Sequence, residues 1–184
     1  MGQDKALLPI QGVPLIQLVC GIAQSCADPV YVVTPWPERY QELLPETCRF
    51  ITEVHLPLPQ GPLIGFAQGL AQVQTDWVLL LACDLPRLRL EVLQDWAAGL
   101  NSVGQEVLAL LPRHAKGWEP LCGFYRRSCL SALTDFINQG GRSFQQWLAQ
   151  HPVQILPLSE DDQMLFNCNT PADLNAINYG INEI

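Results

Sequence analysis

Positive charge is scarce in this sequence. Its 184 residues hold 10 Lys and Arg against 18 Asp and Glu, a net charge of −8. Affinity for nucleic acid or anionic lipid begins with accumulated Lys and Arg, so the composition argues against both partners. A small anionic ligand needs only a local positive patch and is not excluded. No apolar run approaches the roughly 18 residues of a membrane span. The opening MGQDKALLPIQG lacks a basic segment leading into a long apolar one, so neither a span nor a secretory signal is expected. The expected location is the cytoplasm. The seven cysteines, Cys20, Cys26, Cys48, Cys83, Cys122, Cys129 and Cys168, contain no C-x-x-C pair. That argues against a zinc cluster or a thioredoxin-like site and leaves reduced, mostly buried thiols as the expected state. The length suits one domain spanning 1–184, with a well-buried core.

What is present centres on residues 77–86, WVLLLACDLP. The run 77–83 is almost unbroken in its apolarity, as in strands covered by helices on both faces. It stops at an acid, so Asp84 would stand at the carboxyl end of a central parallel strand, where open α/β sheets bind ligands. The other reading is that Asp84 caps the next helix.

Around this stretch, strand and helix signals alternate. Gln11-Gly12 is a turn, and apolar residues at helical spacing predict a helix over 15–26 with Pro14 at its start. The β-branched run 30–33 predicts a strand ending at Thr34, 38–44 a short helix, and 49–52 a strand ending beside Glu53. The loop HLPLPQG opens into a helix carrying Leu63, Phe66, Leu70 and Val73 on one face. It is a ligand-facing candidate because it follows a strand, and a surface turn otherwise.

Further on, helices are expected over 90–100, 129–138 and 143–148, the second ending at Gly140-Gly141. Strands are expected over 107–111 and 120–125, the latter antiparallel at an edge, and an edge strand over 153–158. Residues 112–117 read as a loop, and SEDDQ at 159–163 as a solvated acidic loop in which Asp161 and Asp162 make poor metal candidates. FNCNTPADL predicts a short strand followed by a helix capped at Thr170. The alternation implies a three-layer αβα, Rossmann-like fold with a mainly parallel sheet.

Four segments in order, MGQDKALL with GVPL, GPLIGFAQGL, CDLP and FNCNTPADL, resemble the molybdenum cofactor guanylyltransferases, the MobA-like nucleotidyltransferases. WEPLCGFYR is similar to a fifth, weaker family segment. The resemblance spans essentially the whole chain and implies transfer of GMP from GTP to the terminal phosphate of molybdopterin, with release of pyrophosphate. It implies Mg²⁺ as cofactor, GTP and molybdopterin as small-molecule partners, and molybdenum cofactor assembly proteins as possible protein partners. The attacking phosphate oxygen is already ionised at neutral pH. No protein nucleophile is therefore needed, only charge neutralisation and alignment of two anions.

On this resemblance Asp84 holds the metal, and Lys5 stabilises the triphosphate and leaving pyrophosphate. Gly61, Pro62 and Leu63 approach the guanine. Glu53 falls at a nucleotide-side position usually held by Asp, and its extra methylene leaves its part open. Asn169 is matched near the metal and acceptor phosphate, with a capping or turn role as the alternative. His114, Lys116 and Arg142, loop cations, are candidates for the pterin phosphate, whereas His55 and His151 read as ordinary loop residues. Two alternatives stand beside this one: a nucleotidyltransferase using CTP or a sugar phosphate, and an inactive paralogue that binds pterin or a protein. Family members carry a buried strand and glycine-rich phosphate loop before the M-G at which this sequence opens. The expectation is that Met1 is internal to a longer natural polypeptide, because a central strand is paired on both sides.

Overall fold

The computed structural model describes residues 4–54, 61–159, 162–168 and 173. A tight hairpin comes first, β1 (Pro9–Ile10) and β2 (Val13–Pro14), turning on Gln11 (φ 49°) and Gly12 (φ 84°). Both turn residues are left-handed, the geometry that suits the twist of a two-residue hairpin. Helix α1 (Leu15–Cys26) follows and buries Leu15, Ile16, Val19 and Cys20 along one stripe. Strands β3 (Val30–Thr34) and β4 (Cys48–Thr52) pair in parallel. Between them the expected helix over 38–44 is replaced by one 3₁₀ turn, Pro37–Arg39, and further turns. Pro37 and Pro45 bracket a segment too short to nucleate a helix, and it serves instead to bury Tyr40 and Leu44 against α1.

The remaining elements are α2 (Gly61–Leu70), β5 (Trp77–Leu81), α3 (Leu90–Ala98), β6 (Ala109–Leu111), the hairpin β7 (Arg113–His114) and β8 (Gly117–Trp118), β9 (Cys122–Arg126), α4 (Leu130–Asn138), α5 (Phe144–Leu148) and β10 (Val153–Ile155). Their sheet has the order β10-β6-β9-β5. Strand β10 is parallel to β6, and β9 is antiparallel to both β6 and β5. Strand β9 is antiparallel as expected, but it lies inside the sheet and is buried along its length. The short return through β7 and β8, itself a hairpin where a loop was expected, brings the chain straight back beside β6 without a crossover.

Alternate residues feed opposite layers. Leu110 and Phe124 face α1 and α3, joining Val19, Leu93 and Trp96 in one core. Ala109, Leu111 and Tyr125 face α2, α4 and α5, joining Leu63, Phe66, Leu133 and Trp147 in the other. This is the three-layer αβα arrangement of mixed but mostly parallel strands expected from the alternation. The strand expected over 166–168 carries no ladder, and the helix expected after Thr170 lies outside the described residues apart from Asp173.

Strand β5 departs from expectation. All five of its residues remain partly exposed, and its ladder partner is antiparallel. Helix α1 packs on both β3 and β5 from one side. Helix α2 touches β3 through Gly69 against Val33, and shares a core with Val78 and Leu80 of β5. Among the described residues no ladder joins β3 to β5. Among the described residues, these two strands under the same two helices each have one edge without a ladder partner.

Burial of thiols also makes stability depend on pH in the alkaline range. The thiols of Cys20, Cys122 and Cys129 are pushed up to about 12 by burial, with Cys48 adding to the shift at Cys20 and Glu119 at Cys122. A raised folded-state value means that this contribution is complete below about pH 9 and is lost as the unfolded chain ionises above it. From about pH 9 towards 12, stability is expected to fall by roughly 1 kcal/mol per pH unit for each thiol. Urea unfolding at a series of alkaline pH values measures the fall, and Cys122→Ala should flatten it by one thiol's share.

Candidate active site

The site is built where β5 ends. Asp84 lies on the following turn, held by Leu85 and Leu88, which are buried on either side of the stiffening Pro86. The Asp84 carbonyl accepts from the Cys168 N–H at 3.0 Å, and the Ala82 N–H donates to Leu121 O at 2.8 Å. The turn is therefore tied to the chain near both the 166–168 segment and β9. Its carboxylate is left directed at a cation, with Asp84 Oδ2 4.0 Å from Lys5 Nζ and the two side chains 21% and 40% exposed.

Lys5 owes its place to Asp4, which sequence reasoning passed over. Asp4 caps the 3₁₀ turn Lys5–Leu7, its Oδ1 accepting from Ala6 N–H at 3.1 Å. Its Oδ2 accepts from the Tyr40 hydroxyl at 2.6 Å and lies 3.6 Å from Arg39. Buried Ala6 pins the turn. The signal was available in the sequence, since Asp is a favoured cap immediately before a helical turn. Neighbouring Cys83 is exposed. Desolvation first, then the Asp84 and Asp4 carboxylates, push its thiol up to about 11, so it is protonated at neutral pH.

Glu53 directly follows β4, its N–H donating to Thr34 O at 3.0 Å. Its carboxylate lies against α2 at Gly65, where an added Cβ would sit 3.4 Å from Oε1. The glycine therefore leaves room for the acid beside the helix. Gln68 Oε1 accepts from the next N–H, Val54, at 2.8 Å. Gly61, with φ +63°, and Pro62 are exposed in the first turn of α2, while Leu63 is fully buried in the core. What Leu63 has to offer a ligand is backbone. The start of a helix presents unpaired N–H groups and the positive end of its dipole, which suits anions.

The other candidates separate. Asn169, His55 and Asp161 lie outside the described residues. Arg142 donates to Ile137 O and Gly141 O at 2.9 and 2.6 Å and so closes the end of α4. His114 and Lys116 lie on the β7–β8 hairpin. There, half-buried Glu119, also missed from sequence, has its carboxyl raised by burial, with His114 opposing the shift. Asp162 accepts from Met164 N–H at 2.8 Å and pairs with Arg89 at 3.2 Å. His151 stacks on Trp147 at 4.6 Å. Among the described residues no cluster of three or more His, Cys, Asp or Glu side chains converges as for a metal ion, and no helix is long and apolar enough to cross a membrane.

A sheet covered on both faces, with a lysine and a carboxylate meeting beyond a strand's carboxyl end, puts this chain among the α/β proteins whose ligand sites lie at strand ends. The comparisons sharpen that class. The sequence model of the MobA-like NTP transferase domain matches residues 1–155, and the chain belongs to this nucleotidyltransferase family. A relative from Nostoc sp., called a probable molybdenum cofactor guanylyltransferase, is 67% identical over 96% of this chain and 84% of its own length. One of the same designation from Synechococcus elongatus is 46% identical over 96% of this chain and 91% of its own. Molybdopterin-guanine dinucleotide biosynthesis protein A from Archaeoglobus fulgidus superposes with a TM-score of 0.78 over 100% of this chain and 93% of that one, at 24% identity, and so shows the shared fold.

Proposed function

We propose that this chain transfers GMP from GTP to the terminal phosphate of molybdopterin. The observation that carries the reading is the Lys5–Asp84 pair, 4.0 Å apart beyond β5, in a chain two-thirds identical to a relative of that designation. An acceptor phosphate oxygen attacks the α-phosphorus of GTP and forms a new P–O–P bond. The bond from the α-phosphorus to the bridging oxygen breaks, and its electrons leave with pyrophosphate. No proton has to be removed from the nucleophile.

The chain's residues suit that economy. Lys5 neutralises charge on the triphosphate and on the departing pyrophosphate, and Asp4 keeps Lys5 in place. Glu53 and the exposed backbone of Gly61 and Pro62 stand on the side assigned to the nucleotide. Asp84 fits Mg²⁺, because it is a partly exposed hard oxygen donor without a crowd of other protein ligands, and Mg²⁺ commonly takes one or two carboxylates plus substrate phosphates and water. When bound there, the ion supplies Lewis-acid stabilisation of charge on phosphate oxygens. Asn169 is proposed as a further contact on the acceptor side. The cytoplasm and the cofactor assembly proteins remain the proposed setting and partners.

Calorimetric titration of GTP, CTP and ATP with Mg²⁺, followed by a GMP-transfer assay with molybdopterin, tests the reading. Selective GTP binding with transfer supports it. Preference for CTP would move the chain to cytidylyl transfer, and binding of molybdopterin without any nucleotide would make it a binding module.

A further inference from the structure

Three residues after Asp84, Arg87 opens onto a surface cleft of about 450 Å³ lined also by Arg89, Ser159, Asp162, Gln163 and Met164. It is shallow and open to solvent, so a ligand would lie against its wall rather than be enclosed. The two arginines in it differ. Arg89 is bracketed by carboxylates, with Nε 2.8 Å from Glu91 Oε1 and Nη1 3.2 Å from Asp162 Oδ2, so its charge is spent within the wall. Arg87 is positioned without being neutralised. Its guanidinium stands over the Phe166 ring at 5.2 Å and its Nη1 is 3.5 Å from Gln163 Oε1. Among the described residues it makes no carboxylate ion pair. A cation held on an aromatic face keeps its outer N–H groups for a ligand.

Position links this cleft to the reacting centre. Arg87 shares the rigid turn of Asp84, and three residues of chain span at most about 11 Å. Phe166, which carries the guanidinium, lies two residues before Cys168, whose N–H bonds the Asp84 carbonyl at 3.0 Å. Arg87 and Asp84 are thus fixed to each other from both segments. We infer that Arg87 is the acceptor-phosphate contact: its guanidinium grips the phosphate monoester of the acceptor, the cleft holds the organic body behind it, and the free phosphate oxygen is turned toward the Asp84 side. The inference rests on the guanylyltransferase reading and adds a residue that positions the nucleophile. The fork geometry of guanidinium matches a phosphate in a way that an ammonium does not.

The test measures binding of a phosphorylated pterin by its fluorescence, to wild-type protein, Arg87→Ala and Arg87→Lys. The dephosphorylated pterin and, by calorimetry, GTP serve as companions. Arg87→Ala is expected to weaken the phosphorylated pterin by about 10- to 100-fold, the usual worth of a charge-assisted contact, with Arg87→Lys between the two. Its affinity for the dephosphorylated pterin and for GTP should stay within about twofold of wild type. That split is one that a merely structural role would not produce, because misfolding weakens all three ligands together. Equal weakening of both pterins, or no change in either, would overturn the phosphate contact while leaving the guanylyltransferase reading intact. A wild-type protein that binds GTP or no ligand, but never the phosphorylated pterin, would overturn both.

Discussion

Asp84→Asn is expected to lower GMP transfer by about 10³-fold while leaving the fold intact. The size follows from removing the carboxylate proposed to hold Mg²⁺, because a preorganised positive contact at a site of developing negative charge is worth about 10²–10³. Stability should barely change, because Asp84's contribution to the fold is its backbone carbonyl, bonded to Cys168 N–H, and asparagine keeps it. Lys5→Met is expected to cost about 10²-fold. The double variant should fall well short of the product of the two losses, since each charge acts through the same phosphates and each single change already disables the pair. Steady-state kinetics of the three variants against GTP, with thermal unfolding alongside, reads the result. Near-wild-type transfer by Asp84→Asn would remove the carboxylate from the mechanism, and strictly multiplicative losses would show that Lys5 and Asp84 act separately.

A strand added between β3 and β5, which share no ladder among the described residues, is expected to stabilise the fold. Asp4 lies beside Arg39 and Tyr40, which follow β3, and Lys5 reaches Asp84, which follows β5, so this turn lies beyond the carboxyl ends of both strands. An extended segment ahead of Asp4 would therefore run parallel to both. Five β-branched apolar residues joined there by a short glycine link match the five-residue lengths of β3 and β5. Burying their side chains under α1 and α2, at about 1.5–3 kcal/mol each, exceeds the ordering cost of about 1.5 kcal/mol per residue. New ladder bonds add about 0.5–1.5 kcal/mol each. A higher unfolding midpoint is the expected result. Urea unfolding and hydrogen exchange test it: an unchanged midpoint, or an added segment whose amides exchange at the unprotected rate, would show that the two strands do not share a slot.

Much of the fold was legible because its signals are local. Helix α1 could be read from Pro14 and the spacing of Leu15, Ile16 and Val19, and β3 from its β-branched run, since periodicity and caps act within a turn or two. The cap at Ser143 and the left-handed Gly140 are of the same kind. The misreadings fall where distant pairing decides. Nothing in 120–125 says whether that strand is edge or interior, and residues 38–44 have a helical composition that the demand to bury Tyr40 and Leu44 overrode. Among the candidate residues, Asp84, Lys5 and the capping Asp4 were legible in their local contexts, whereas the bond of Asp4 to Tyr40 and the place of Arg87 on Phe166 depend on partners that local sequence does not name.

The amino-acid sequence by itself determined the class of the molecule: alternating strands and helices, a carboxylate ending an apolar strand, and a lysine directly after a capping aspartate. Only the tertiary structure decided which of these meet. It set Lys5 against Asp84, Glu53 against the bare backbone of Gly65, and Arg87 on the ring of Phe166. The physical reason is range. Backbone propensity and side-chain period are settled among near neighbours, but the order and register of strands are chosen by the packing of the whole core, and a site assembled from several strand ends exists only once that choice is made.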